Sequence, residues 1–218
     1  ESIKPFEREL MQLLLLYSDR EIIIPQGLGT PEFEDEIYPE QDSTFILSYF
    51  IERELIMVGA DQEYSPLFAR FMTELRSECL EKQISPATNF ANHPEAPLRE
   101  ITTALLAESD LLEYRPDQDL HIGGAGSSFS SHILSEEEER EEEARKEARY
   151  LGSLALRACN SYKMALLVRF IDGLHQEIKQ AQRAGDNTKI LECMTEITRL
   201  NVQKRRLSDL LGERTIIG

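Results

Sequence analysis

Residues 135 to 211 carry two helical patterns separated by one turn signal, and that pairing limits what the rest of the chain can build. Ser135 precedes "EEEEREEEARKEARYLGSLALRACNSYKMALLVRFIDGLHQEIKQAQRAG", whose acids crowd its start, where the helix dipole favours them. Glu-to-Arg pairs four residues apart, such as Glu141 with Arg145, support the same face. The acidic run reads as a solvated helix face. Gly152 or the segment "CNSY" is where this pattern would divide into two helices, and the sequence leaves open whether it does. Gly185 then supplies a C-cap and Asp186 or Asn187 an N-cap, so the chain turns back as "TKILECMTEITRLNVQKRRLSDLL".

The two arms, about residues 161–184 and 187–211, carry the four-and-three spacing of paired helices. On the first arm the expected seam is Leu167, Ile171, Leu174, Ile178 and Ala181. On the second it is Ile190, Met194, Ile197, Leu200 or Asn201, Lys204, Leu207 and Leu211. Apolar side chains remain outside that seam: Met164, Leu166, Val168 and Phe170 on the first arm, and Leu191, Val202 and Leu210 on the second. An isolated two-helix hairpin is too small to leave so much apolar surface open. Residues 162–171 lie nearest the upstream chain and are expected to be covered by it. Towards the tip and along the second arm, cover by another protein is expected, with Arg205 and Arg206 at the rim.

Upstream, Pro5 opens a helix with Leu10, Leu13, Leu14 and Tyr17 on one face. Residues 21–42 read as loop, and Asp42 or Ser43 is placed to cap "TFILSYFIERELIM". Ser65-Pro66 is a cap followed by a first-turn proline, and Leu67, Phe71, Leu75 and Cys79 form the stripe behind it. A further helix carries Ile101, Leu105 and Leu106. No strand is required, "EIII" at 21–24 being the only β-like run. The expected fold class is therefore all-α: a helical bundle subdomain over 1–160, with a flexible loop at 116–134 and an acidic helix start at 135–149, followed by a C-terminal helical hairpin over 161–218.

The formal charge of −16 argues against direct nucleic-acid binding, which needs clustered Lys and Arg at the phosphates. The charge is uneven. From Asp186 onward six basic residues face five acidic ones, so the acidity lies upstream. Cys79, Cys159 and Cys193 are odd in number and far apart, which reads as reduced core thiols in a cytoplasmic protein. "MQLLLLY" is too short to span a bilayer, no secretory leader is present, and a chain beginning at Glu1 reads as a fragment of a longer one.

Catalytic patterns are missing. "GGAGSS" at 123–128 lacks the Lys of a phosphate loop. A di-iron bundle needs two Glu-x-x-His motifs, and the nearest match is Asp172-Gly173-Leu174-His175. His93, His121 and His132 lack a second ligand at metal spacing, and Asp117-Gln118-Asp119 and Glu34-Asp35-Glu36 read as loop polarity. The segment is therefore expected to hold no catalytic residue, no cofactor and no metal. A helical enzyme whose carboxylates meet only in the fold is the alternative from another class, and a plain adaptor dimerising through the hairpin is a further one.

Four stretches, in order, resemble the C-terminal helicase-binding domain of bacterial DNA primase: "ERELMQLLLLYSD", "DSTFILSYFIERELIM" with "SPLFARFMTEL", "NFANHPEAPLREITTALL", and "AQRAGDNTKILECMTEITRLNVQKRRLSDLLGERTII". The last is the most specific, and residues 108–160 match poorly. The resemblance implies a bundle plus a hairpin that docks on the N-terminal domains of the replicative helicase hexamer, recruiting primer synthesis and modulating the helicase. It implies that zinc and magnesium belong to domains upstream of this segment. Single-stranded-DNA-binding protein is a second partner in some members, one that the acidity of this chain disfavours. The helicase's own N-terminal domain, similar in fold, is the alternative within the same class. On this reading Leu191, Val202, Arg205, Arg206 and Leu210 are the candidate helicase-binding residues.

Overall fold

The computed structural model describes residues 3–25, 42–108 and 136–212, with only the backbone of residues 136 and 137. The expected flexible loop at 116–134 lies outside them. The fold is mostly α. Its elements in order are α1 (Pro5–Tyr17), β1 (Glu21–Ile24), β2 (Ser43–Ile46), α2 (Leu47–Ile56), α3 (Pro66–Glu74), α4 (Pro86–Ala91), α5 (Ala96–Ala107), α6 (Glu136–Ala184) and α7 (Asn187–Leu210). A short 3-10 turn, Ala60–Glu63, precedes α3, and a π-helical turn, Leu75–Leu80, extends it.

The cap and first-turn signals at Ser65 and Pro66 are realised. Ser65 Oγ accepts the Phe68 amide at 3.3 Å and Pro66 occupies the first turn of α3. Leu67, Phe71, Leu75 and Cys79 are all buried, with Phe71 and Phe90 meeting at 4.6 Å between ring centres. One core joins α1, β1, α2, α3, α5 and the middle of α6, through Leu151, Ala155, Cys159, Tyr162 and Leu166.

The start of α2 corrects the sequence reading. Ser43–Ile46 is a strand, paired antiparallel with Glu21–Ile24 in the register Ile22 with Phe45 and Ile24 with Ser43. The helix begins only at Leu47, and no side chain caps it. Two backbone carbonyls do the work of a cap instead: Arg20 O accepts the Leu47 amide at 2.9 Å and Ser18 O accepts the Ser48 amide at 3.1 Å. Burial of Ile22 and Ile24 fixes which face of the ribbon looks inward.

Helix α6 is one uninterrupted helix of 49 residues, so neither Gly152 nor the Cys159–Tyr162 segment divides it. Gly152 has a different task. A Cβ built there would stand 2.1 Å from the Ile23 carbonyl oxygen, so the helix backbone lies directly on β1 and only glycine admits that approach. Two buried polar contacts then fix α6 against the bundle. Lys163 Nζ meets Glu54 Oε2 at 2.6 Å, and the Tyr162 hydroxyl donates to Glu7 Oε1 at 3.4 Å. That Glu7 oxygen also accepts the Ser65 amide at 2.8 Å, which ties α1, α3 and α6 together. Because Tyr162, Lys163 and Leu166 pack with the bundle, the change from bundle to hairpin falls after Leu166, later than the expected 160/161 boundary and inside a continuous helix.

Candidate interaction surface

Beyond Leu166 the remaining helix of α6 is joined by α7, and no other described element has comparable contact with α7. The turn between them is short because Asp186 serves both helices. Its amide donates to Ala181 O at 3.0 Å, closing α6 around Gly185 at φ 73°, and its Oδ1 accepts the Lys189 amide at 3.0 Å, opening α7.

On the first arm the structure places Ile171 and Ala181 in the buried seam, with Leu167, Leu174 and Ile178 half-buried beside them. On α7 the seam is two lines of residues seven apart. Cys193, Leu200 and Leu207 are buried, and Ile190, Ile197, Lys204 and Leu211 are half-buried. Met194, expected in the seam, is 54% exposed, and Cys193 takes its place at 2%. Both lie within one helical step of the correct spacing, but only Cys193 continues the seven-residue line through Leu200 and Leu207. Across the arms Lys189 Nζ meets Glu177 Oε2 at 3.0 Å, and the Cys193 thiol donates to the same oxygen at 3.8 Å. The Lys189 hydrogen bond, then its charge, holds the Glu177 carboxyl below the usual carboxylate range.

The face of α7 turned away from α6 carries an apolar strip. Leu191 is 66% exposed and Val202 52%, and Met194 lies between them on the same side. Arg205, Arg206 and Asp209 continue that side as exposed residues, whereas Leu210 turns half-inward. Of the sequence-predicted binding residues the structure thus groups Leu191, Val202, Arg205 and Arg206, sets Leu210 apart and adds Met194. Two threonines belong there as well. Thr195 Oγ1 donates to Leu191 O and Thr198 Oγ1 to Met194 O, each at 2.9 Å, which spends both hydroxyl protons on the helix itself. Neighbouring charge is similarly internal: Arg199 grips Glu196 through two hydrogen bonds of 2.9 and 2.6 Å. Arg205 and Arg206 have no ion-pair partner among the described residues. Sequence spacing alone missed Met194, because a three-four alternation permits either of two adjacent residues at each step.

His93, buried, sets Nε2 2.7 Å from Glu74 Oε2 and accepts the Glu95 amide at Nδ1, so it closes the α4–α5 turn. Among the described residues no three His, Cys, Asp or Glu side chains form a group that could hold a metal. The three cysteines are free and buried. No described helix is long and apolar enough to cross a membrane.

No curated protein and no solved structure matches the chain. One family model does, over residues 1–215, nearly the whole length. The chain belongs to the family described as a domain of unknown function, DUF8430.

Proposed function

We propose that this chain is the helicase-docking module of a bacterial DNA primase, a cytoplasmic interaction domain that carries primer synthesis to the replication fork. Its hairpin seats on the replicative helicase hexamer and modulates it. The observation that supports this most is the one-sided cover of α7: among the described residues its main contact is with α6, and its outward face carries an apolar strip beside Arg205, Arg206 and Asp209. Leu191, Val202, Arg205 and Arg206 are the contact residues on this reading. The four ordered stretches of resemblance are what suggests the helicase as the partner. Zinc and magnesium chemistry is assigned to other domains of the same enzyme, and no catalytic residue to this one.

Sedimentation of the chain with purified replicative helicase hexamer tests the proposal, with unwinding assayed in parallel. A second sample ends at Ala184 and so lacks α7, which contributes no residue to the bundle core. The expected result is a complex with the full chain and none with the shortened one, circular dichroism confirming that the bundle of the latter is folded. A folded full chain that leaves the hexamer unbound and its unwinding unchanged overturns the reading.

A further inference from the structure

The hairpin's outward strip has a chemistry that restricts what can lie on it. Along Leu191, Met194, Thr195, Thr198 and Val202 the backbone amides are spent inside α7, and both threonine hydroxyls donate to α7 carbonyls. The strip therefore offers methyl and methylene groups and no free donor. An extended segment laid across it would bury its own backbone polar groups without partners, which is strongly unfavourable. A helix satisfies its backbone internally and has no such penalty. The small Thr195 and Thr198 at the middle of the strip permit the close axial approach that helix-on-helix packing requires.

Charge then orients the occupant. Glu196 neutralises Arg199, while Arg205 and Arg206 are without an ion-pair partner among the described residues, in a chain of net charge −16. Resting on the docking function proposed above, we infer that the strip receives an amphipathic helix of the partner. That helix sets apolar side chains on Leu191, Met194, Thr198 and Val202 and carboxylates beside Arg205 and Arg206. The strip, with Met194 and the two threonine methyls, is the docking face; the outer side of α6 around Phe170 is not.

The test measures affinity of the full chain for the helicase hexamer over a salt series, with variants checked by circular dichroism. Thr198→Ser binds about fourfold more weakly than the unaltered chain, the expected effect of one buried methyl, and Thr198→Val binds at least as well as the unaltered chain. Val202→Asp weakens binding by more than about tenfold. Arg205→Glu with Arg206→Glu weakens it and flattens the salt dependence. Phe170→Asp leaves it unchanged. If Phe170→Asp abolishes binding while Val202→Asp does not, the helicase reading survives and this face is wrong. Equal binding by the two Thr198 variants also overturns the inference. If the chain alone sediments as a dimer that Val202→Asp dissolves, the occupant is a second copy and the inference fails. Absence of any hexamer binding by the unaltered chain removes the docking function and this inference with it.

Discussion

The Lys163 ammonium and the Glu54 carboxylate meet at 2.6 Å in the protein interior, the side chains 4% and 0% exposed. Arg53 also reaches Glu54, at 3.2 Å, from a more exposed position. Glu54→Leu takes a carboxylate from the buried Lys163, and Lys163→Met takes an ammonium from the buried Glu54. Removing one partner of a buried pair costs about 3–5 kcal/mol. Denaturant titration is expected to move Glu54→Leu and Lys163→Met each toward that range, and to put the double variant nearer the parent than the sum of the two single losses.

Two glycines of α6 give opposite expectations for the same substitution. In an exposed helix interior, Gly to Ala stabilises by about 1 kcal/mol. Gly173 has nothing within 4 Å of an added Cβ, so Gly173→Ala follows that rule. Gly152→Ala drives its methyl into the Ile23 carbonyl and loses about 1–3 kcal/mol or more. Thermal midpoints of the two variants, one up and one down, check the pair.

Much of this fold could be read from the chain because its signals act over one turn. Ser65, Pro66, Gly185 and Asp186 set helix ends by contacts within a few residues, and all do so in the structure. The strand at Ser43–Ile46 was hidden for the opposite reason. Asp42 and Ser43 have the composition of a helix cap, and only the distant partner Glu21–Ile24 and the carbonyls of Ser18 and Arg20 make that segment extended. Gly152 looked like a helix break because a glycine's reason for being small was on another element. The candidate surface was legible in its ends, Leu191, Val202 and the arginines, and not in its middle. Thr195 and Thr198 join an apolar strip only once their hydroxyls are seen to turn back onto the helix.

Acid sensitivity is expected at the α4–α5 turn. Burial pushes Glu74 upward, but the Arg70 hydrogen bond and then His93 outweigh it, so the carboxyl lies below its ordinary value of 4.5. A depressed carboxylate contributes stability that is present above the ordinary value and is lost as the pH falls through the lowered one. Glu74→Gln should therefore flatten the acid limb of stability against pH. Denaturant midpoints at matched ionic strength measure this.

The three thiols should report on different parts of the molecule. Burial raises Cys159 to about 12 and Cys79 to about 11, leaving little thiolate at neutral pH. Cys193 lies in the seam between α6 and α7, outside the bundle core. Native-state alkylation followed by peptide mass mapping is expected to label Cys193 before Cys159. Ile197→Ala, which loosens the seam, should speed labelling at Cys193 by about tenfold or more through a loss of roughly 2 kcal/mol, and leave Cys159 as it was.

A helix that belongs to two bodies at once imposes a phase rule. Since α6 runs unbroken from the turn of Gly152 to Ala184, one residue inserted between Leu166 and Ile171 would swing everything beyond it by about 100° about the helix axis. The strip of α7 would then face a new direction, although every contact within bundle and hairpin stayed intact. Relatives that lengthen or shorten this arm while keeping the same aim must do so by close to whole turns, near seven or eleven residues at a time, roughly 10 or 16 Å.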